Sequence, residues 1–337
     1  MNILVTGGAG FIGSHTVVAL VEAGYNPILI DNFHNSEKSV LDGIKKIIGK
    51  KVTCYDHDCN DARFLEKIIR KNNIEGIIHF AAYKAVGESV EKPLAYYRNN
   101  VGSLLVLLEV MEKCGVNALV FSSSCTVYGE PDAIPVSETT PRKPANSPYG
   151  NTKTIGEDIL RDAVASGAAL KAVALRYFNP IGAHPSAAIG ELSRGVPSNL
   201  IPFVTQTAAG IRQTLTVFGN DYDTPDGSNI RDYIHVMDLA EAHVKALEFL
   251  KKDARTTLYD TFNLGTGQGN SVLEIIEAFE KVNGVKLNYT IGKRRAGDVE
   301  KIYGVVDKAA EQLGWRTKRS LEESLRDAWA WQLAIGK

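Results

Sequence analysis

The chain has 337 residues, 44% hydrophobic and 23% charged, with a formal net charge of -1. The two signs are interspersed, which argues against nucleic acid or an acidic membrane as a partner, and no apolar run nears the ~20 residues that span a bilayer. This length predicts about two domains in an ordinary globular protein.

Taken in order, Asn2–Thr6 reads as a short strand, with no basic-then-apolar leader before it, so no secretory signal is expected. It runs into Gly7, Gly10 and Gly13, a GxxGxxG spacing, and then into a helical pattern that stops at Gly24. Glycine there permits a tight turn, a close backbone approach to a pyrophosphate and close helix-to-strand contact. Amides at the helix start face the phosphates. A second strand, 27–30, ends at Asp31, whose carboxylate can bond the adenosine ribose hydroxyls. The same carboxylate repels a 2′-phosphate, so the expected cofactor is NAD, not NADP.

A third strand, 52–55, leads to Asp56 and Asp58 and a helix over 61–71. A fourth, 76–80, leads to Ala81, Ala82, Tyr83 and Lys84. Ligands of open α/β sheets bind at these carboxyl ends of the strands. Asp58 stands either against the adenine or on an exposed turn, and Lys84 can reach the nicotinamide ribose or a phosphate. Asn99 lies inside the next helix, 93–114. Alternation this regular predicts a doubly wound parallel sheet.

Ala118–Ser124 reads as a buried strand ending in three hydroxyls, Ser122, Ser123 and Ser124. Beyond it a helix carries Tyr149 and Lys153, four apart and so on one face, and runs to about residue 164. A phenol alone loses its proton near pH ~10. A nearby ammonium lowers that value, and a cationic nicotinamide lowers it further. Ser124, Tyr149 and Lys153 can then remove a proton from an alcohol while a cofactor takes the hydride. By itself a tyrosine and a lysine four apart is an ordinary helix surface; the glycine turn and Asp31 are what give this pair its chemistry.

A strand over 171–176 follows, and then the texture changes to turn chemistry between Tyr177 and Asn199. Later elements are a helix over 200–211, strands 214–218, 233–236 and 261–264, and helices 238–251, 272–282 and 320–333, the second of these capped by Ser271 with Glu274. The expected architecture is a Rossmann-type doubly wound parallel sheet with a smaller α/β substrate-binding domain. Residues 1–178 form the NAD-binding domain, with about 233–266 returning to it, and 179–337 form mainly the second domain. Helices 93–114 and 154–164 are apolar on more of their circumference than one sheet contact covers, which calls for a second partner. Cys54, Cys59, Cys114 and Cys125 have neither metal nor disulfide spacing, as expected for reduced thiols in a cytoplasmic protein without a metal site.

With these residues in view, the chain resembles the extended short-chain dehydrogenase/reductases, and within them the UDP-galactose 4-epimerases. The resemblance runs over essentially the whole length and is most specific in Lys84 to Ser89, Ser122 to Gly129, Arg176 to Pro185 and Arg231 to Leu239. It implies bound NAD, a UDP-hexose substrate, inversion at C4 through a 4-keto sugar, and a homodimer formed through a helical bundle. It assigns catalysis to Ser124, Tyr149 and Lys153. It assigns cofactor contacts to Gly7, Gly10, Phe11, Ile12, Gly13, Asp31, Asn32, Asn35, Ser36, Asp58, Cys59, Phe80, Ala81, Ala82, Lys84, Asn99 and Phe178, together with the catalytic trio.

Substrate contacts, by the same resemblance, come from Lys84, Ser124, Tyr149, Tyr177, Asn179, Asn199, Leu200, Thr216, Val217, Phe218, Arg231, Arg295, Asp298 and Ile302. Arginine forks suit a diphosphate, although either Arg231 or Arg295 alone would read as a surface charge, and Arg294 reads as solvated. Ile302 faces the C2 substituent of the sugar, unless a one-residue shift puts Tyr303 there. Sugar-nucleotide 4,6-dehydratases share the fold but place an Asp-Glu pair after the serine, where this chain has Cys125 and Thr126, or Thr126 and Val127 if the register slips by one. A dehydrogenase would need exchangeable NAD, and a non-catalytic NAD-binding scaffold would be expected to lack Tyr149 or Lys153.

Overall fold

The computed structural model describes residues 1–192, 195–295 and 298–336. Seven parallel strands form the central sheet. They are β1 (Asn2–Thr6), β2 (Asn26–Asp31), β3 (Thr53–Asp56), β4 (Ile74–His79), β5 (Ala118–Ser124), β6 (Lys171–Tyr177) and the late strand Leu258–Leu264. From one edge the order is Leu258–Leu264, β6, β5, β4, β1, β2, β3, so the winding reverses between β1 and β4. That reversal splays the loops after the two strands apart and opens a crevice at their carboxyl ends.

The strands are apolar on both faces because both are covered. In β1, Ile3 and Val5 face one core, with α1 (Phe11–Glu22) and the helix Val236–Lys252 packed over it. Leu4 faces the other, with Leu65, Leu104, Leu107 and Leu160 from the helices of the opposite layer. The helix Val236–Lys252 and the strand Leu258–Leu264 thus rejoin the sheet built by the first half of the chain.

A second, smaller α/β layer completes the fold. Strands Leu215–Phe218 and Tyr289–Gly292 pair in parallel, and helices Leu200–Ala208, Val272–Asn283 and Leu321–Ile335 enclose Ile201, Val204, Ile275, Phe279 and Leu325. The expected capping box of Ser271 with Glu274 is present, and a second one, Ser320 with Glu323, starts the last helix. Among the described residues no helix is long and apolar enough to cross a membrane.

Two local readings change. The single helix expected over 93–114 is three pieces: Pro93–Tyr96, a π-helical turn Tyr97–Val101 and Gly102–Cys114. The wider turn lets Asn99 and Asn100 leave the regular helical face. Asn100 Oδ1 accepts from the Tyr83 amide at 2.8 Å, and its Nδ2 donates to Thr152 Oγ1 at 3.1 Å, tying the loop after β4 to the helix Pro148–Ala165. The helix Ser39–Ile48 has no counterpart in the sequence reading; it is short and buries only Val40 and Ile44.

Candidate active site

The crevice is one continuous cleft of about 840 Å³. Its floor is the glycine turn. Gly7 has φ +67, and a Cβ there would lie 2.8 Å from the Ala81 amide nitrogen; a Cβ on Gly13 would lie 2.3 Å from the Gly7 carbonyl oxygen. Side chains at these positions would force β1, β4 and α1 apart. α1 begins at Gly10 without a side-chain cap, so its first amides remain available to an anion. At the end of β2, Asp31 accepts from the amides of Ala9 and Phe33, both at 2.9 Å, and from Ser36 Oγ at 2.8 Å. Asn32 Nδ2 donates to Asp58 at 3.1 Å on the same side. A hollow that any Cβ would fill, an uncapped helix start and an acid at the next strand end together fit a dinucleotide.

The helix Pro148–Ala165 forms the opposite lip. Ser147 Oγ accepts from the Gly150 amide at 3.2 Å and Pro148 occupies the first turn, so the helix starts just before Tyr149. Gly156 lets it lie close on β5: a Cβ there would come within 2.6 Å of Phe121 Cζ. Lys153 Nζ donates to the Ser122 carbonyl at 2.6 Å and lies 5.9 Å from the centroid of the Tyr149 ring. Ser124 lines the cleft with Tyr149, close enough to favour the phenolate. The three residues singled out from the sequence, drawn from a strand end and a helix, meet here.

Their protonation differs from the expectation. Burial pushes the Tyr149 phenol up to about 12, the Cys125 thiol adds to the rise, and Ser124 opposes it. Tyr149 keeps part of its surface open to the cleft but is densely surrounded by protein. Burial alone brings the Lys153 ammonium down to about 7. The lysine does not depress the phenol here, because desolvation penalises both charged forms and the amine is held on a carbonyl.

Every other residue named for cofactor or substrate contact lines the same cleft except Val217. Val217 is 1% exposed and packs with Ile275 and Phe279, because alternation along Leu215–Phe218 sends its neighbours Thr216 and Phe218 the other way. Ile302 lines the cleft beside Cys125 and Phe178, paired in register with Arg231. The Tyr303 ring lies instead against Gly269, and its carbonyl accepts from the Val136 amide. Arg295 is bidentate on Asp298, at 2.7 and 3.1 Å. Arg294 is not simply solvated: it is paired with Asp221 at 2.7 Å and stacked on Tyr222 at 4.1 Å, away from the cleft.

Glu191 is a cleft residue that sequence reasoning missed. One of its oxygens accepts from Lys84 Nζ at 2.9 Å and from Asn199 Nδ2 at 2.6 Å, joining the two sides of the cleft. Nothing local marks Glu191, since it follows a glycine in an irregular segment and its partner Lys84 is 107 residues away. Tyr83, Phe203, Asn229 and Tyr233 also line the cleft.

Residues 4–328 match the GDP-mannose 4,6 dehydratase family. A UDP-glucose 4-epimerase of Bacillus subtilis is 51% identical over 332 residues, which cover 98% of this chain and 97% of the relative. The crystal structure of a UDP-glucose-4-epimerase from Stenotrophomonas maltophila, with bound NAD and formylated UDP-arabinopyranose, superposes with a TM-score of 0.96 at 46% identity, covering 99% of this chain and 98% of the other. The enzyme of the same name from Bifidobacterium longum, in complex with NAD+ and UDP, gives 0.95 at 45% identity over 99% and 98% of the two chains.

The depressed lysine predicts a pH signature. In the unfolded chain Lys153 keeps its proton up to about 10.5, and in the folded, cofactor-free protein only up to about 7. Between these values the unfolded state binds more protons, so this residue's contribution to stability rises with pH. In denaturant titrations of cofactor-stripped protein, the native chain is expected to gain on Lys153→Met as pH rises through that window. A difference independent of pH would mean that the buried lysine keeps its charge.

Proposed function

The chain belongs to the family of the GDP-mannose 4,6 dehydratases and, within it, to the UDP-glucose 4-epimerases; on that premise we propose how its residues carry out the reaction. The enzyme interconverts UDP-glucose and UDP-galactose by transient oxidation at C4, through a 4-keto sugar that is reduced again from its opposite face. NAD, when bound, supplies the acceptor and donor of the C4 hydride and a positive ring charge that favours a phenolate beside it.

Tyr149 takes the proton of the C4 hydroxyl and returns it at the end of the cycle. Ser124, beside the phenol in the cleft, guides that proton between the sugar oxygen and the tyrosine. Lys153 holds the first turns of its helix on the Ser122 carbonyl and supplies positive charge to the phenolate when protonated. Gly7, Gly10 and Gly13 with the start of α1 hold the dinucleotide phosphates, Asp31 and Asn32 the adenosine ribose, and Lys84 the nicotinamide side. Across the cleft Asn179, Asn199, Leu200, Thr216, Phe218, Arg231, Arg295 and Asp298 grip the UDP, leaving the hexose free to turn. The observation that carries this reading is the meeting of Ser124, Tyr149 and Lys153 at the mouth of a glycine-floored cleft. Dehydratase chemistry is not favoured, since the positions after Ser124 hold Cys125 and Thr126 and no carboxylate.

The protein also forms a homodimer in this reading. Leu94, Leu105 and Val90, 78%, 45% and 62% exposed, project from the helices Val86–Glu91, Pro93–Tyr96 and Gly102–Cys114, which pack in one layer with Pro148–Ala165. Exposed leucines on packed helices suit a second copy of the same surface. The four free cysteines fit a reducing compartment, and we place the enzyme in the cytoplasm.

Purified protein given UDP-galactose and no added NAD is expected to form UDP-glucose. Tyr149→Phe should slow this about 10²–10⁴-fold while still binding UDP. Near-native turnover by folded Tyr149→Phe, or a strict need for added NAD, would overturn the assignment.

The wall at Ile302 predicts the substrate range. A β-branched side chain is stiff and lacks a polar atom, yet leaves more space than tyrosine. The main activity is expected on UDP-glucose and UDP-galactose, with weaker turnover of UDP-N-acetylglucosamine. Ile302→Tyr should lower the specificity constant for the acetylated sugar by roughly 10–200-fold relative to UDP-glucose. An unchanged ratio would remove Ile302 from the wall. For the assembly, light scattering at micromolar concentration should give twice the chain mass, and a monomer mass would refute the dimer.

A further inference from the structure

Behind the catalytic residues lies a buried polar cluster that the reaction does not use directly. Lys153 and Glu157 stand one turn apart on the same face of the helix Pro148–Ala165. Lys153 bonds the carbonyl of Ser122, and Glu157 Oε1 accepts from Ser123 Oγ at 2.6 Å. Between them Gly156 lies against Phe121. Helix and strand are therefore registered by three successive contacts that end one residue short of Ser124.

The same carboxylate reaches further. Ser123 and Arg176 are register partners on β5 and β6. Arg176 grips Glu157 with two bonds, Nε to Oε1 at 2.8 Å and Nη2 to Oε2 at 2.6 Å. Arg176 Nη1 donates to the Tyr128 hydroxyl at 3.1 Å, which in turn donates to Asn263 Oδ1 at 2.6 Å. Tyr128 closes the turn Cys125–Tyr128 that follows Ser124. The strand before Ser124, the turn after it and the neighbouring strand are all tied directly or through Arg176 to one glutamate on the Tyr149 helix. Glu157 is 1% exposed and Arg176 is 5% exposed. A buried ion pair stabilises little against apolar filling, so its physical use is to select one geometry.

We propose that Ser123 and Glu157 are positioning residues for this epimerase, clamping the end of β5 to the Tyr149 helix so that the Ser124 hydroxyl stays beside the phenol. The inference rests on the roles given above to Ser124 and Tyr149. Nothing in the clamp faces the sugar nucleotide, so losing it should affect the chemical step and leave binding alone.

Ser123→Ala removes one hydroxyl and leaves the Glu157–Arg176 pair in place. It is expected to lower kcat about tenfold, since small misplacements of reacting groups carry large rate penalties, with KM for UDP-galactose within about twofold of native. Because the effect passes through Ser124, Ser123→Ala should cost almost nothing further in a Ser124→Ala background. Unchanged kcat in Ser123→Ala would overturn the clamp while leaving the epimerase reading intact. So would additive losses in the double variant, or KM rising together with a lowered unfolding midpoint, which mark a general packing defect. If the native enzyme does not epimerise at all, the underlying reading fails instead.

Discussion

Burial of the Tyr149–Lys153 pair is the constraint on which the rest of the site depends. Desolvation disfavours both the phenolate and the ammonium, and in the protein alone it leaves the phenol near 12 and the lysine near 7. In the proposed mechanism a base made this way is inactive until positive charge arrives beside it. Coupling the activity of the tyrosine to an occupied cofactor site is a direct consequence of placing it there. It also explains why a residue expected to act mainly as a charge is fastened to a backbone carbonyl. In the protein alone Lys153 orders the helix and does not depress the phenol.

The cleft treats its other charges in a similar way. Lys84 is already paired with Glu191, and Arg295 with Asp298. A UDP-sugar carries two phosphate charges into this crevice, so cations that stood free would bind it tightly along its whole length. Acids that share those cations reduce that grip. Inversion at C4 requires the hexose to turn over between two chemical steps, and a site of moderated charge is compatible with that movement while the nucleotide end stays held. Glu191, bonded from both sides of the cleft, is the clearest case.

The match to the dehydratase family is informative because the family is shared while the outcome differs. Residues 4–328 match a family named for water loss. Water loss needs a group to protonate a leaving hydroxyl and another to take a carbon-bound proton. Cys125 and Thr126 can do neither at neutrality; burial raises the thiol to about 12. The ring therefore keeps its hydroxyls, and the only bonds changed are those at C4.

Much of this was legible in the residues themselves. The glycine turn, Asp31 and the spacing of Tyr149 and Lys153 are local signals, since each depends on backbone conformation or helical period within a few residues. The alternation of apolar runs with amphipathic stretches determined the doubly wound sheet for the same reason. Tertiary structure decided the rest. The π-turn at Tyr97–Val101, the inward turn of Val217 and the placing of Ile302 rather than Tyr303 on the wall follow from packing against distant elements. The partners of Glu191 and Glu157 come from strands and loops far along the chain, and no local pattern encodes them. Above all, the protonation of Tyr149 and Lys153 was decided by desolvation, which depends on everything packed around them, whereas sequence spacing reports only which side chains share a face.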